Sequence, residues 1–248
     1  MHTGIAQAPG TYPRRVPELD FAGFDVLTFD CYGTLIDWEA GILAGFQRVL
    51  DPRGVVAAED DLLERYARHE SALEAGPYRR YREVLGLGLR GVCGELGIEP
   101  TADEVAAFGG SVVDWPAFLD SAAALASLHR RFALAVITNC DDDLFAASAP
   151  RLGSPFDVVV TAQQAGSYKP SHRTFELAFE RLDRPRHRIL HVAQSLFHDH
   201  VPARELGLHS VWIDRRHGRA GSGATPPAEA SPDLTFSDMA SFAEAATA

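Results

Sequence analysis

Six short runs of apolar, largely β-branched residues punctuate the chain at Phe24–Phe29, Phe132–Thr138, Phe156–Thr161, Arg188–Ala193, His209–Ile213 and Leu234–Phe236. Runs of this length and composition read as strands buried on both faces. Between them lie segments with helical spacing, Ser121–Arg131, His172–Leu182 and Asp199–Leu206, each able to cover one face of a sheet. Strand alternating with helix predicts parallel pairing by right-handed crossovers, hence an α/β, Rossmann-like, doubly wound parallel sheet. Ligands of such sheets bind beyond the carboxyl ends of the strands, which directs attention to the residues that end each run.

One interval breaks the alternation. From about Trp38 to about Phe118 no strand pattern occurs, and helical patterns follow one another at Ala40–Leu50, Ala58–Ala75 and Tyr78–Leu96. A helical block placed directly after the first strand reads as a cap domain inserted over the active edge of the sheet. The expected organisation is an N-terminal extension at 1–20, an α/β core at 21–37 and 119–248, and a helical cap at 38–118. The Gly-, Ala-, Ser- and Pro-rich stretch Arg216–Pro232 reads as a loop before the last strand.

Composition narrows the partners. With 34 acidic against 23 basic residues the chain carries a formal charge of −11, so its summed field repels nucleic-acid backbones and anionic lipid surfaces. A small anionic substrate would need local rescue from a few bases or helix N-termini. No apolar stretch approaches the roughly 18 residues that span a bilayer, and the first 17 residues lack the basic start and apolar centre of a secretion signal. Cys31, Cys93 and Cys140 are too few and too widely spaced for a disulfide framework. A soluble cytoplasmic protein is the expectation, with no nucleic-acid or membrane partner; a homodimer is left open.

The first strand runs into Phe29-Asp30-Cys31-Tyr32-Gly33-Thr34. Gly33 permits a sharp turn, and the Thr34 hydroxyl can return to the Asp30 carboxylate, which would expose a positioned nucleophile. Taken alone, the hexapeptide equally allows Asp30 to cap a turn. The second strand ends in Ile137-Thr138-Asn139, Lys169 precedes a proline and a helical pattern, and the fourth strand runs through Ser195 into Phe197-His198-Asp199. This ordered set, at successive strand ends across residues 24 to 240, resembles the motifs of the haloacid dehalogenase superfamily. The resemblance implies a HAD-like fold with Asp30 as nucleophile, Lys169 holding it ionised, and Asp199 orienting or deprotonating water.

Position 32 separates chemistries within that superfamily. Its phosphatases usually place a second aspartate two residues after the nucleophile, because an alkoxide leaving group needs a general acid. Tyr32, whose phenol ordinarily ionises only at about pH 10, is poorly suited to that task, whereas halide departs without a proton. Tyr32-Gly33-Thr34 is similar to the first motif of the L-2-haloacid dehalogenase branch. That likeness implies a metal-independent hydrolase in which Asp30 displaces halide from a small 2-haloalkanoic acid through an aspartyl ester. Tyr32, Thr34, Thr138, Asn139, Ser195 and His198 would bind substrate, and Arg65, with Arg68, Arg79 and Arg80 as rivals, would grip its carboxylate from the cap. Leu196 and Phe175 depart from the branch, replacing residues that usually donate hydrogen bonds. Two alternatives remain: a phosphatase holding magnesium on Asp30 and Asp199, otherwise no cofactor, and a catalytically silent binding protein.

Overall fold

The computed structural model describes residues 19–153, 156–217, 219, 221 and 223–248. The extension expected at 1–20 lies outside the described residues up to position 18. Six parallel strands form one sheet in the order β3-β2-β1-β4-β5-β6: β1 Val26–Phe29, β2 Ala133–Thr138, β3 Val158–Thr161, β4 Ile189–Ala193, β5 His209–Ile213 and β6 Leu234–Phe236. Every expected strand is present. β1, β2 and β4 are buried almost throughout, as expected for strands covered on both faces. The order of the strands reverses between β1 and β4, with β2 and β3 on one side and β5 and β6 on the other; Phe29 is in register with Val192, so the residues just past these two parallel strands meet at the switch point.

The interval after β1 is helical: α1 Trp38–Leu50, α2 Glu59–Glu74, α3 Tyr81–Glu95 and α4 Ala102–Gly110. The α4 helix was not anticipated; Thr101 and Glu104 cap it reciprocally, a Thr-x-x-Glu signal visible in the sequence. The α3 helix starts three residues later than its apolar spacing suggests. The remaining helices are α5 Ser121–Leu128, α6 Asp142–Ser148, α7 Ala162–Ala165, α8 His172–Leu182, α9 Val201–Glu205 and α10 Met239–Thr247. No helix among the described residues is long and apolar enough to cross a membrane.

Polar contacts fix the helical block on the sheet. Asp141 precedes α6 but makes no side-chain cap there; its carboxylate reaches α3, accepting from the backbone N–H of Tyr81 at 3.0 Å and from Arg80 at 2.9 Å. A buried carboxylate at the start of α3 satisfies an orphan donor and complements the helix dipole. On the other side Arg216 bonds Glu39 at 2.6 Å and Asp60 at 3.0 Å, joining the loop after β5 to α1 and α2.

Packing inside the block is tight where helices cross. Trp115 is almost wholly buried and lies against Gly41, where an added Cβ would sit 2.2 Å from the indole. Exposed Gly94, in the last turn of α3, has nothing within 4 Å of such an atom. The same chemical change should therefore act in opposite directions. Gly94→Ala should raise stability by up to about 1 kcal/mol through helix propensity, and Gly41→Ala should lower it by about 1–3 kcal/mol through overpacking. Urea denaturation followed by tryptophan fluorescence measures both; equal stabilisation by the two changes would contradict this packing.

Candidate active site

At the tip of β1 the chain turns sharply. Gly33 has a φ of +95°, and a side chain there would crowd the Trp38 indole nitrogen and the Gln194 amide at 3.0 and 3.1 Å. The turn brings Thr34 back so that its hydroxyl donates to Asp30 Oδ2 at 2.6 Å while accepting from the Gln194 N–H at 2.9 Å. One hydroxyl thus ties the tip of β1 to the end of β4.

Lys169 supplies the centre of the site. It is 1% exposed, and its ammonium donates to Asp30 Oδ1 at 2.8 Å, Asp199 Oδ1 at 2.7 Å and the Ile137 carbonyl at 2.9 Å. An ammonium has three hydrogens, and all three are spent on the protein. Asn139 holds the lysine's own backbone, accepting from its N–H at 2.7 Å and donating to its carbonyl at 3.1 Å. Asp199 also accepts from His191 Nε2 at 3.0 Å, and His191 Nδ1 faces the Thr28 hydroxyl at 2.9 Å. Because an ionised carboxylate can only accept, Nε2 carries a proton toward Asp199.

Electrostatics separates the two aspartates. Burial pushes the Asp30 carboxyl upward, and the Asp199 charge adds to this, against the opposing pull of Lys169 and Thr34. Burial acts on Asp199 in the same sense, yet Lys169 and His191 together outweigh it and hold this carboxyl well below the usual range. Asp199 is therefore a stable anion, suited to holding Lys169 and orienting a partner and poorly suited to abstracting a proton. Burial lowers His198 to about 4, so its imidazole is neutral at pH 7. Ser195 Oγ accepts from the His198 N–H at 2.9 Å and lies 3.2 Å from its Nδ1, which leaves the buried Nε2 without a hydrogen-bond partner.

An inner pocket of about 30 Å³ is lined by Asp30, Tyr32, Asn139, Lys169, Ser195, His198 and Asp199, together with Glu70 and Glu74 of α2. Seven expected site residues therefore meet here, and Thr34 joins them through Asp30. Two expectations are corrected. Arg65 lies on the outer side of α2, paired with Asp61 at 2.8 Å and Glu95 at 2.6 Å, because the face of α2 that carries Leu63, Tyr66, Ala67 and Glu70 is the one turned inward. The Thr138 hydroxyl turns to the Cys140 sulfur at 3.8 Å and does not line the pocket. The Tyr32 ring lines the pocket, but its hydroxyl faces Ser148 at 3.1 Å, and burial raises its pKa well above 10. Among Arg65's rivals, Arg79 pairs with Glu83, Arg80 with Asp141, and Arg68 lines a separate cleft.

Sequence reasoning missed the two glutamates. Glu70 is 2% exposed and accepts from the hydroxyls of Tyr66 and Tyr81, each at 2.9 Å; burial raises it to about 7 despite those donors. Glu74 lies 3.5 Å from Asn139 Nδ2 and 3.6 Å from His198 Nε2, and burial raises it well above the carboxylate range. Their signal was present: positions 63, 66, 67, 70 and 74 follow a helical stripe, and its last two members are acids. Leu196 lines the separate cleft, and Phe175 is buried edge-on to His191. The three cysteines are buried and unpaired.

The donor set does not fit magnesium, which the phosphatase alternative would place on Asp30 and Asp199. Both Asp30 oxygens and Asp199 Oδ1 are committed to Thr34, Lys169 and His191, leaving Asp199 Oδ2 as the one carboxylate oxygen of the pair without a partner among the described residues. Magnesium requires near-octahedral oxygen coordination, usually through one or two carboxylates with room for water. The buried ammonium fills the space between these two.

Known proteins resemble this chain in sequence and in fold. A 24% identical relative over 214 residues, covering 82% of this chain and 92% of its own, is an (S)-2-haloacid dehalogenase of Pseudomonas putida. The solved structure of an L-2-haloacid dehalogenase superposes with a TM-score of 0.73 at 25% identity, covering 90% of this chain and 99% of its own. That of the L-2-haloacid dehalogenase from Xanthobacter autotrophicus, at 20% identity, gives 0.74 over 89% of this chain and 97% of its own, a likeness of fold. Residues 24–195 match the sequence profile of haloacid dehalogenase-like hydrolases, and the chain belongs to that family.

Proposed function

We propose that this hydrolase displaces halide from a small 2-haloalkanoic acid, the substrate class of its named relatives, through an ester on Asp30. The observation that carries the reading is the triple engagement of Lys169 with Asp30, Asp199 and Ile137, beside a position 32 that offers no general acid. Lys169 keeps Asp30 ionised, and Thr34 and Lys169 fix the carboxylate at both oxygens.

In the first step an Asp30 oxygen attacks the halogen-bearing carbon from the side opposite the halogen. The new C–O bond forms as the carbon–halogen bond breaks, and halide takes the bonding pair. In the second step water adds to the Asp30 carboxyl carbon, and the ester C–O bond breaks at that carbon. The product is a 2-hydroxy compound; Asp30 is restored with one solvent oxygen, and a net proton is released with the halide. The unpartnered Oδ2 of Asp199 would accept a hydrogen bond from that water. The helical block 38–118 acts as the cap that shuts bulk water out.

Purified protein incubated with 2-chloropropionate should release chloride, with a rate unchanged by a metal chelator. Asp30→Asn and Lys169→Met should each lower kcat/KM by roughly 10³-fold or more. Chelator-sensitive phosphate release from a phosphomonoester, with no chloride from 2-chloropropionate, would contradict the reading.

A further inference from the structure

A cleft of about 1050 Å³ lies against the inner pocket, at the upper end of the volumes usual for ligand sites. The two share Thr225, and their walls are built from neighbouring residues: Ser195 and Glu74 line the pocket, whereas the adjoining Gln194, Leu196 and Ala75 line the cleft. The pocket's volume of about 30 Å³ matches the share of one water molecule in the liquid, less than any 2-haloalkanoic acid occupies. A substrate that reaches Asp30 must therefore take room from a neighbouring space. The partition is light at Thr225, whose hydroxyl donates to Gln194 Oε1 at 3.4 Å, near the limit of a hydrogen bond.

The chemistry of the cleft wall decides what can extend into it. Leu196, Trp212, Pro226, Pro227, Ala72 and Ala75 give it an apolar lining drawn from α2, the segment after β4, β5 and the loop that follows β5. The Trp212 Nε1–H donates to the Gln194 carbonyl at 2.8 Å, so the indole is fixed while its ring stays partly exposed. The arginines around this lining are answered by the protein: Arg216 and Arg219 meet Asp60 at 3.0 and 3.1 Å, and Arg68 meets Glu95 at 3.4 Å. What the cleft offers a ligand is apolar surface against a rigid aromatic ring.

Resting on the reading of Asp30 as the displacing carboxylate, we propose that the cleft is the subsite for the substituent on C2, and that the preferred substrates are 2-haloalkanoic acids with an apolar chain of medium length. The halogen-bearing carbon sits at Asp30, and the chain passes Thr225 to lie along Leu196 and Trp212. Each methylene moved from water onto such a surface strengthens binding by up to roughly fourfold.

Steady-state chloride release from 2-chlorooctanoate and 2-chloropropionate, which share the reacting carbon and the carboxylate and differ in chain length, tests the proposal on the native enzyme. The expected result is kcat/KM at least about tenfold higher for 2-chlorooctanoate, carried mainly by KM. Ala72→Trp, which puts a large ring into the cleft from an exposed position on α2, should lower the octanoate-to-propionate ratio by about tenfold or more. Leu196→Asn, which makes the opposite wall polar, should move the ratio the same way and serves if the tryptophan variant does not fold. Equal values for the two substrates, a preference for 2-chloropropionate, or a ratio unmoved in the folded variants overturns the proposal and leaves the Asp30 displacement standing. Chloride from neither compound removes both.

Discussion

The site depends on one buried ammonium. Burying a lysine is costly unless its charge and its three hydrogens are answered. Here Asp30, Asp199 and the carbonyl that precedes the end of β2 answer all of them within 2.9 Å. Because each partner comes from a different strand end, the lysine joins β1, β2 and the segment after β4 at the point where the order of the strands reverses. Removing it would leave two buried carboxylates facing each other, so the arrangement holds as a unit or fails as one. The same contacts hold the Asp30 carboxyl group at both oxygens.

A second constraint sets what sits over that carboxylate. The turn into α3 is capped by Asp141, which lies just beyond β2, so the helical block takes its orientation from the core. Arg216, from the loop after β5, grips Glu39 and Asp60 on the other side. With α2 and α3 anchored in this way, the two tyrosines that hold Glu70 are brought together, and α2 presents acids to the pocket. The result is an inner chamber whose charge comes from carboxyls, over a base whose lysine is already occupied. The pocket is thus built from two parts of the chain: its floor from the strand ends, its acidic wall from α2.

Much of this was legible in the residues themselves. Strand runs fixed the sheet because burial on both faces leaves an unambiguous apolar signature, and each strand end then pointed to one place in space, where Asp30, Lys169, Ser195 and Asp199 meet. The rotation of α2 was harder to read. Helical spacing shows which residues share a face, but an arginine and a glutamate five positions apart are separated by about 140° around the axis, and either face can serve an active site. Likeness to the dehalogenases favoured Arg65; the apolar stripe from Leu63 through Tyr66 and Ala67 to Glu70 favoured the acids, and burial decided for the stripe. The contact of Asp141 with α3 is hard to read for a related reason. An acid before a helix usually serves that helix, and nothing local reveals that a distant N-terminus competes for it.

Isotope transfer during a single turnover tests the central claim most directly. With enzyme in excess over a 2-chlorinated substrate in heavy-oxygen water, mass spectrometry of the digested protein should find one solvent oxygen in the peptide that contains Asp30, and the first product should carry none. An unlabelled Asp30 peptide alongside a labelled product hydroxyl would mean that water attacks the substrate directly, and the aspartyl ester would have no place in the reaction.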